Sequence, residues 1–398
     1  MLDEFLQQQI QQKIKDFPVS IHWGTHSIIP STTSKVAINV RNPRALMTLA
    51  HPTLGGLARA YVEEWLDFEG SAQDIMSLGQ AYCNIDAGKD AQSSDAWMWW
   101  RHTRNRDRKN ISYHYDVSND FYNLWLDEAK VYSCAYYENG TEHIDQAQAK
   151  KLDHICRKLM LKPGERFLDI GCGWGALMLK AAEEYGVEAW GITLSQNQYD
   201  YVVEQIAKRG LGGRAHVQLM DYRDLPAELP FDKIASVGMF EHVGKRNLRE
   251  YFDKIYSLLK PDGLVMNHGI TFVELNSGGL GSGISDFIED YVFPGGELTH
   301  ISTVTEELSA AGLEPLDIEN MRIHYGKTLW EWVTRLEANK TEAIRLIGEK
   351  NYRIWRIYMA GSAFSFDHNW LALFQVVAGK SKENGSLAYP FNRNHIYQ

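Results

Sequence analysis

At 398 residues the chain is long enough for two domains, or one domain with a large insertion, and for a self-sufficient core. Its 41 Lys and Arg against 51 Asp and Glu leave a net charge of −10, which disfavours non-specific nucleic-acid binding. The four cysteines, Cys83, Cys134, Cys156 and Cys172, form no C-x-x-C pair and have no histidine at metal spacing. Neither a disulfide framework nor a metal site is expected, and reduced cytosol is the simplest location.

From the N-terminus, Phe5, Leu6, Ile10, Ile14 and Phe17 recur at helical spacing and predict an amphipathic helix that faces a core or a bilayer surface. The opening segment lacks the basic and apolar regions of a signal peptide. No apolar run reaches about 18 residues, so the chain is expected neither to be exported nor to span a membrane. Between Pro18 and Tyr82, strand-like VSIHW and KVAINV precede helical segments at Pro43 to Leu49 and Leu57 to Asp67, the pattern of a small α+β domain. The following RHTRNRDRK, Arg101 to Lys109, holds five cations and one acid. It reads equally as a solvated linker or as a patch for lipid phosphates. Aromatic residues make up 12% of the chain, which suits a large apolar pocket or simply a well-filled core.

Phe167 to Gly175, FLDIGCGWG, is the most informative stretch. An apolar strand ends in Asp169 and opens into Gly171, Gly173 and Gly175 before a helix at Ala176 to Glu184, the first unit of a Rossmann-like sheet. The spacing is G-x-G-x-G rather than the G-x-G-x-x-G of dinucleotide sites, and the next strand, Glu188 to Thr193, ends in Thr193 where a ribose-binding acid is usual. A cofactor without a pyrophosphate fits better, and S-adenosylmethionine is the obvious candidate, with Asp169 near its ammonium group.

Strand and helix patterns then alternate: EAWGIT, a helix near Asn197 to Arg209, HVQLM, DKIASVGM, a helix from Arg246 to Leu259, and GLVMNHGIT after the Pro261-Asp-Gly turn. This is the pattern of a doubly wound, mainly parallel α/β sheet. Ligands in such sheets bind outside the carboxyl ends of the strands, which nominates Asp169, Thr193, Asp221, Glu241 and His268 as one cluster. Ser277 to Ser282 reads as a hinge, followed by an aromatic-rich insertion able to cap the site.

Eight motifs in order resemble the cyclopropane fatty acyl phospholipid synthases, which are related to the mycolic acid cyclopropane synthases. They are YHYDVSNDFYNLWLD (113–127), VYSCAYY (131–137), FLDIGCGWG, GITLSQNQ (191–198), MDYRDL (220–225), VGMFEHVG (237–244), DYVFPGGEL (290–298) and HYGKTLWEW (324–332). The resemblance covers nearly the whole length. It implies a class I methyltransferase domain at 111–398 with a cap insertion at about 271–345, a basic linker at 101–110, and a lipid-binding N-terminal domain at 1–100.

The implied reaction transfers a methylene from S-adenosylmethionine to the cis double bond of an acyl chain in a membrane phospholipid, with bound bicarbonate as the base. By resemblance, bicarbonate is held by Cys134, Glu241, His268, Tyr325 and the backbone at Ile270. The cofactor is held by Tyr132 and Ser133, the Gly171 to Gly175 turn, Thr193 through Leu194 to Gln198, and Tyr222 with Arg223. The expected partners are an unsaturated phospholipid and the inner membrane surface, bound peripherally from the cytoplasm, with no nucleic acid; a homodimer is left open.

Taken alone, Cys134 reads as a small buried hydrophobe, His268 as a core histidine, and Tyr325 as nothing in particular. Glu241 stands out without the family, since an acid directly after the apolar run Val237 to Phe240 needs a partner. Two departures are visible. Ser118 stands where many members have glycine, and Ala360 where some have cysteine. Two other outcomes remain open from sequence: methylation of the same alkene to a branched chain, and small-molecule N-methylation, which the retained N-terminal segment disfavours.

Overall fold

The computed structural model describes residues 2–29, 34–84, 118–228, 230–275, 279–294 and 296–397. The basic stretch 101–109 and the first part of the 113–127 motif lie outside the described residues. The chain divides into two compact units. One gathers 1–95, 276–294 and 329–370, and the other 96–275, 295–328 and 371–398.

The first unit is built on a four-stranded sheet of order β2-β1-β3-β4, from Val19–Trp23 (β1), His26–Ile28 (β2), Val36–Val40 (β3) and Leu66–Glu69 (β4). The N-terminal helix Leu2–Ile14 forms as the periodicity requires and buries Leu6, Ile10 and Ile14, one face of successive turns, in the unit's core. The helix expected to run to Asp67 stops earlier, at Val62. Glu64 turns the chain through a left-handed conformation (φ 57°), and Leu66–Glu69 then pairs antiparallel with β3. Leu66, Asp67 and Phe68 carry no periodicity that separates a short strand from a helix end, so the pairing decides.

The N-terminal segment does not stand alone. Phe287 and Val292 from the helix Ile284–Tyr291 and its end, and Ile354 and Ile357 from the helix Glu349–Asp367, complete the same apolar core. The region expected as a single cap at about 271–345 is therefore divided, because 276–294 and 329–370 bury their apolar faces in the first unit while 295–328 packs in the second. Arg353, buried in the first unit, reaches Asp67 Oδ1 at 2.7 Å, Glu349 Oε1 at 2.8 Å and the Tyr61 carbonyl at 3.0 Å. A guanidinium out of water needs such a full set of acceptors, and these tie the late helix to the early one.

The second unit carries a seven-stranded sheet of order β10-β11-β9-β8-β5-β6-β7. Its strands are Arg166–Ile170 (β5), Glu188–Thr193 (β6), Ala215–Leu219 (β7), Phe231–Val237 (β8), Leu259–Phe272 (β9), Glu314–Asn320 (β10) and Leu371–Gly379 (β11). Strands β5 to β9 are parallel, and β11 runs antiparallel to both its neighbours. The alternation read from sequence is thus present, with β5 to β8 within about two residues of their expected places; β9 begins earlier, at Leu259, and takes the expected Pro261-Asp-Gly turn into the strand, and the fold is the α/β class I methyltransferase type.

The strand order reverses at β5. Successive strands leave it to one side through β6 and β7 and to the other through β8 and β9. Such a switch point leaves a crevice at the carboxyl ends of β5 and β8, because the two connections cross to opposite faces. Among the described residues no helix is long and apolar enough to cross a membrane.

Candidate active site

The glycine turn is shaped by backbone geometry. Gly171, Gly173 and Gly175 have φ of 76°, 55° and 83°, the left-handed region that side chains disfavour. A Cβ on Gly175 would meet Val202 Cγ2 at 2.9 Å, so the helix Ala176–Glu184 can start there only without one, whereas a Cβ on Gly173 would meet nothing within 4 Å. The turn is closed on its helix side and open on the other.

On that open side lies a cavity of about 150 Å³. Tyr132, Ser133, Asp169, Gly171, Gly173, Thr193, Leu194, Gln198 and Tyr222 line it, so most of the residues expected to hold the cofactor meet in one place. Asp221 and Arg223 instead engage each other, with Oδ1 accepting from Nε at 2.8 Å and Oδ2 from Nη2 at 2.6 Å, and this bracket fixes the turn that carries Tyr222. The Thr193 hydroxyl donates to Gln198 Oε1 at 2.7 Å and accepts from the Ser195 N–H at 3.2 Å, which locks the β6 end against the next helix. Tyr132 packs beside Tyr122 and Trp125, with ring centroids 5.9 and 5.4 Å away. The Trp174 indole donates to Asn119 at 3.0 Å, so an aromatic wall backs the turn. Ser118 caps the short helix at Asn119, accepting from the Asp120 N–H at 3.1 Å.

The floor of the cavity is charged. Lys151 lies on the helix Ile144–Lys158, 2% exposed, and donates to Ser133 Oγ at 2.9 Å. Burial pushes its pKa down to about 8, against the opposing pull of Asp127, Cys134 and Asp169. Burial likewise pushes Asp169 up to about 7, with Lys151 holding it down. Gln148, one turn before Lys151, donates to the carbonyls of Val131 (3.2 Å) and Ser133 (2.9 Å), while Asp127 accepts from the Val131 N–H at 2.8 Å. Three buried polar side chains therefore hold the 131–133 segment against the cavity.

The residues expected to handle the proton form a second neighbourhood, reached through the backbone. Glu241 sits in the turn after β8, and its Oε1 accepts from the Ile270 N–H on β9 at 2.8 Å. Ile270 faces Leu373 on β11, whose carbonyl accepts from the Met321 N–H at 2.7 Å. The Met321 carbonyl in turn accepts the Tyr325 N–H at 3.0 Å and lies 3.8 Å from Cys134 Sγ. His268 is two residues before Ile270 and shares its face of β9. Its carbonyl accepts from Gly238, in the cavity lining, at 2.8 Å. Five residues from four separate segments are thus linked in one region, mostly through their backbone groups. Ile270 enters differently from expectation, because its N–H is already given to Glu241 and it acts by fixing that carboxyl.

The electrostatics of this region are those of a dry site. Burial pushes Glu241 up to about 7, the Ile270 N–H working against it. Burial pushes His268 well below the ordinary histidine range and Cys134 well above the ordinary thiol range, so both are neutral at pH 7. Glu241 Oε2 and His268 Nε2 are buried with no hydrogen-bond partner among the described residues. Buried polar atoms seldom remain so without a ligand or water, because the desolvation of each costs about 1–3 kcal/mol.

Residues 102–376 match the family model described as mycolic acid cyclopropane synthetase. A probable fatty acid methyltransferase of Pseudomonas putida is 41% identical over 94% of this chain and 95% of its own length. The chain belongs to the mycolic acid cyclopropane synthetase family. Cyclopropane mycolic acid synthase 1 of Mycobacterium tuberculosis is 37% identical over 68% of the chain and 96% of its own length. A crystal structure of the mycolic acid cyclopropane synthase CmaA1 complexed with SAH and CTAB superposes with TM-score 0.65 at 36% identity, over 69% of this chain and 98% of that one. This synthetase-family protein is therefore an S-adenosylmethionine-dependent, cyclopropane synthase-like methyltransferase.

Several of the family member's site residues escaped the sequence reading. Lys130, Lys151, Met239 and His242 line the cavity, and Gly269 and Gln375 border the second neighbourhood. For Lys151 a signal existed: Gln148, Lys151 and Lys158 fall on the buried face of an amphipathic helix, where polar residues need partners. Gly269 gave none. A Cβ there would meet Phe240 Cε1 at 2.0 Å and Glu241 Oε1 at 3.0 Å, so its missing side chain is the space into which the Glu241 turn closes.

Proposed function

We propose that the protein transfers a one-carbon unit from S-adenosylmethionine to the cis double bond of an unsaturated acyl chain in a membrane phospholipid and closes it to a cyclopropane ring. The observation that carries this reading is the pair of buried atoms Glu241 Oε2 and His268 Nε2, without a partner among the described residues, beside the cofactor cavity but outside its lining. A methyl transfer to nitrogen or oxygen needs one base at the acceptor. Ring closure instead needs its one proton acceptor at the transferred methyl, held where water cannot quench a carbocation.

The alkene π electrons form a bond to the sulfonium methyl as the S–CH3 bond breaks, leaving a neutral thioether and a carbocation on the acyl chain. One C–H bond of the new methyl then yields its electrons to the third side of the ring. Bicarbonate, when bound, supplies an oxygen base for the proton released. The residues fit such a group: Glu241 near a pKa of about 7 can share a proton with an oxyanion instead of repelling it, and neutral His268 and Tyr325 offer N–H and O–H donors. Asp169 and Ser133 with Lys151 would hold the ammonium and carboxylate of the methionine moiety. The phospholipid surface would be met peripherally, and the basic stretch 101–109 suits anionic headgroups.

A second reading has its own support. A relative 41% identical over 94% of the chain is named a probable fatty acid methyltransferase, which favours a methyl- or methylene-branched product from the same carbocation. Incubation of the purified protein with S-adenosylmethionine and cis-unsaturated phospholipid vesicles, followed by gas chromatography and mass analysis of the acyl esters, separates the two. The ring reading expects a gain of one CH2 with loss of the alkene. A gain of CH2 with an exocyclic alkene selects the branched product, and no gain on vesicles together with turnover of free fatty acid overturns the phospholipid.

A further inference from the structure

His268 and Gln375 face each other across β9 and β11, in direct register. Both are buried, and the Gln375 amide nitrogen lies 3.1 Å from His268 Nδ1. With the amide in this orientation its nitrogen donates and Nδ1 accepts, which puts the single proton of a neutral imidazole on Nε2. Burial, with Lys151 and Lys158 acting in the same sense and Glu319 opposing them, keeps the ring neutral. The Nε2–H is therefore a fixed donor with no acceptor among the described residues, in the region where Glu241 Oε2 likewise has no partner among them.

Gln375 is itself anomalous. It is the one polar residue in LALFQVVAG, a strand buried along almost its whole length, and its own Oε1 has no partner among the described residues. A polar side chain so placed costs free energy that a leucine would not. Its distinguishing capability is to donate one hydrogen bond to Nδ1 while carrying no charge. A carboxylate there would demand a proton on Nδ1, raise the ring pKa and turn the Nε2 lone pair toward the site.

We propose that Gln375 is a positioning residue that selects the Nε2–H tautomer of His268, so that the ring presents a donor and never a lone pair to the oxyanion bound beside Glu241. The inference deepens the bicarbonate reading above and rests on it for the identity of the ligand. It also explains why an amide stands where many catalytic histidines have a carboxylate: here the histidine must hold an anion, not remove a proton.

The test is two-bond proton–nitrogen NMR of the full chain with 15N-labelled histidine, the His268 signals being assigned by their loss in His268→Asn. The expected wild-type spectrum is that of a neutral ring protonated on Nε2 across pH 6 to 8, a measurement that needs no change at Gln375. In Gln375→Glu the proton moves to Nδ1 or the ring becomes doubly protonated, and kcat falls by about 10- to 100-fold with the KM for S-adenosylmethionine unchanged. A wild-type ring protonated on Nδ1, or a Gln375→Glu ring identical to wild type, overturns the proposal. If the tautomer inverts as expected but turnover of both proteins is indifferent to bicarbonate, the tautomer assignment stands and the bicarbonate reading alone fails.

Discussion

The two halves of the site are built in opposite ways. The cofactor half is a local object: one strand, one glycine turn and one helix within Arg166–Glu184 create the cavity's open side, and the neighbouring strand ends complete it. The half proposed to handle the proton is assembled from afar, with Cys134, Glu241, His268, Tyr325 and Gln375 linked by backbone and side-chain hydrogen bonds across β9, β11 and the helix Arg322–Ala338. The first half binds through charge balanced within the protein, Lys151 against Asp169. The second half leaves its polar atoms unbalanced and so calls for a ligand. Binding and chemistry should therefore be separable by substitution.

The sharpest separation is expected from Glu241→Gln, which keeps the shape but removes the shared proton: kcat drops by about 100- to 10,000-fold while SAH affinity measured by calorimetry stays within twofold. Comparable loss of SAH affinity would merge the halves. Next in size is Gly269→Ala. Its Cβ would have to displace the Phe240 ring it meets at 2.0 Å, and the Glu241 turn with it, so kcat falls by about 100-fold in a protein that still binds SAH. A fully active Gly269→Ala would show that the turn is not held in place by this contact.

Lys151→Met acts on the other half. Losing a charge-assisted bond to Ser133 and the counter-charge of Asp169 should weaken SAH binding by about 10- to 100-fold, with Lys151→Arg intermediate and kcat at saturating cofactor nearly preserved. Equal SAH affinity in Lys151→Met and wild type would remove Lys151 from the cofactor half.

The mildest test is pH. Asp169 is raised from 3.8 to about 7 by burial, so its carboxyl holds a proton in the folded state that it would lose in the unfolded chain over that interval. Its contribution to stability is fully present below pH 3.8 and is lost as pH rises through about 7. Binding of the cofactor's ammonium selects the ionised form. SAH affinity should accordingly rise several-fold from pH 6 through about 7 in wild type, a rise absent in Asp169→Asn, while loss of the Lys151 charge near its pKa of about 8 opposes binding above that range in both.

What the sequence disclosed follows the same division. FLDIGCGWG, the alternation after it and the strand-end acids were legible because a turn with left-handed residues and a buried parallel strand leave local marks. Glu241 was legible for its oddity, an acid closing an apolar run. Gln375, Gly269 and Lys151 were not. Each matters through a contact 18 to 107 positions away, and a glutamine in a strand or a lysine in a helix looks the same whether buried or exposed. The over-long helix at Leu57 to Asp67 and the undivided cap have one cause, since pairing of β4 with β3 and burial of Phe287 and Ile357 in the first unit's core are long-range choices. Family resemblance supplied Cys134 and Tyr325, which no local pattern would have nominated.

The measurement that bears most directly on the two-part account is ring formation by wild-type protein on cis-unsaturated phospholipid vesicles, at saturating S-adenosylmethionine in carbon dioxide-free buffer, as bicarbonate is added back. The account predicts a rate that rises and saturates with bicarbonate while SAH affinity does not change. A rate independent of bicarbonate would contradict it and leave Glu241 as the direct base.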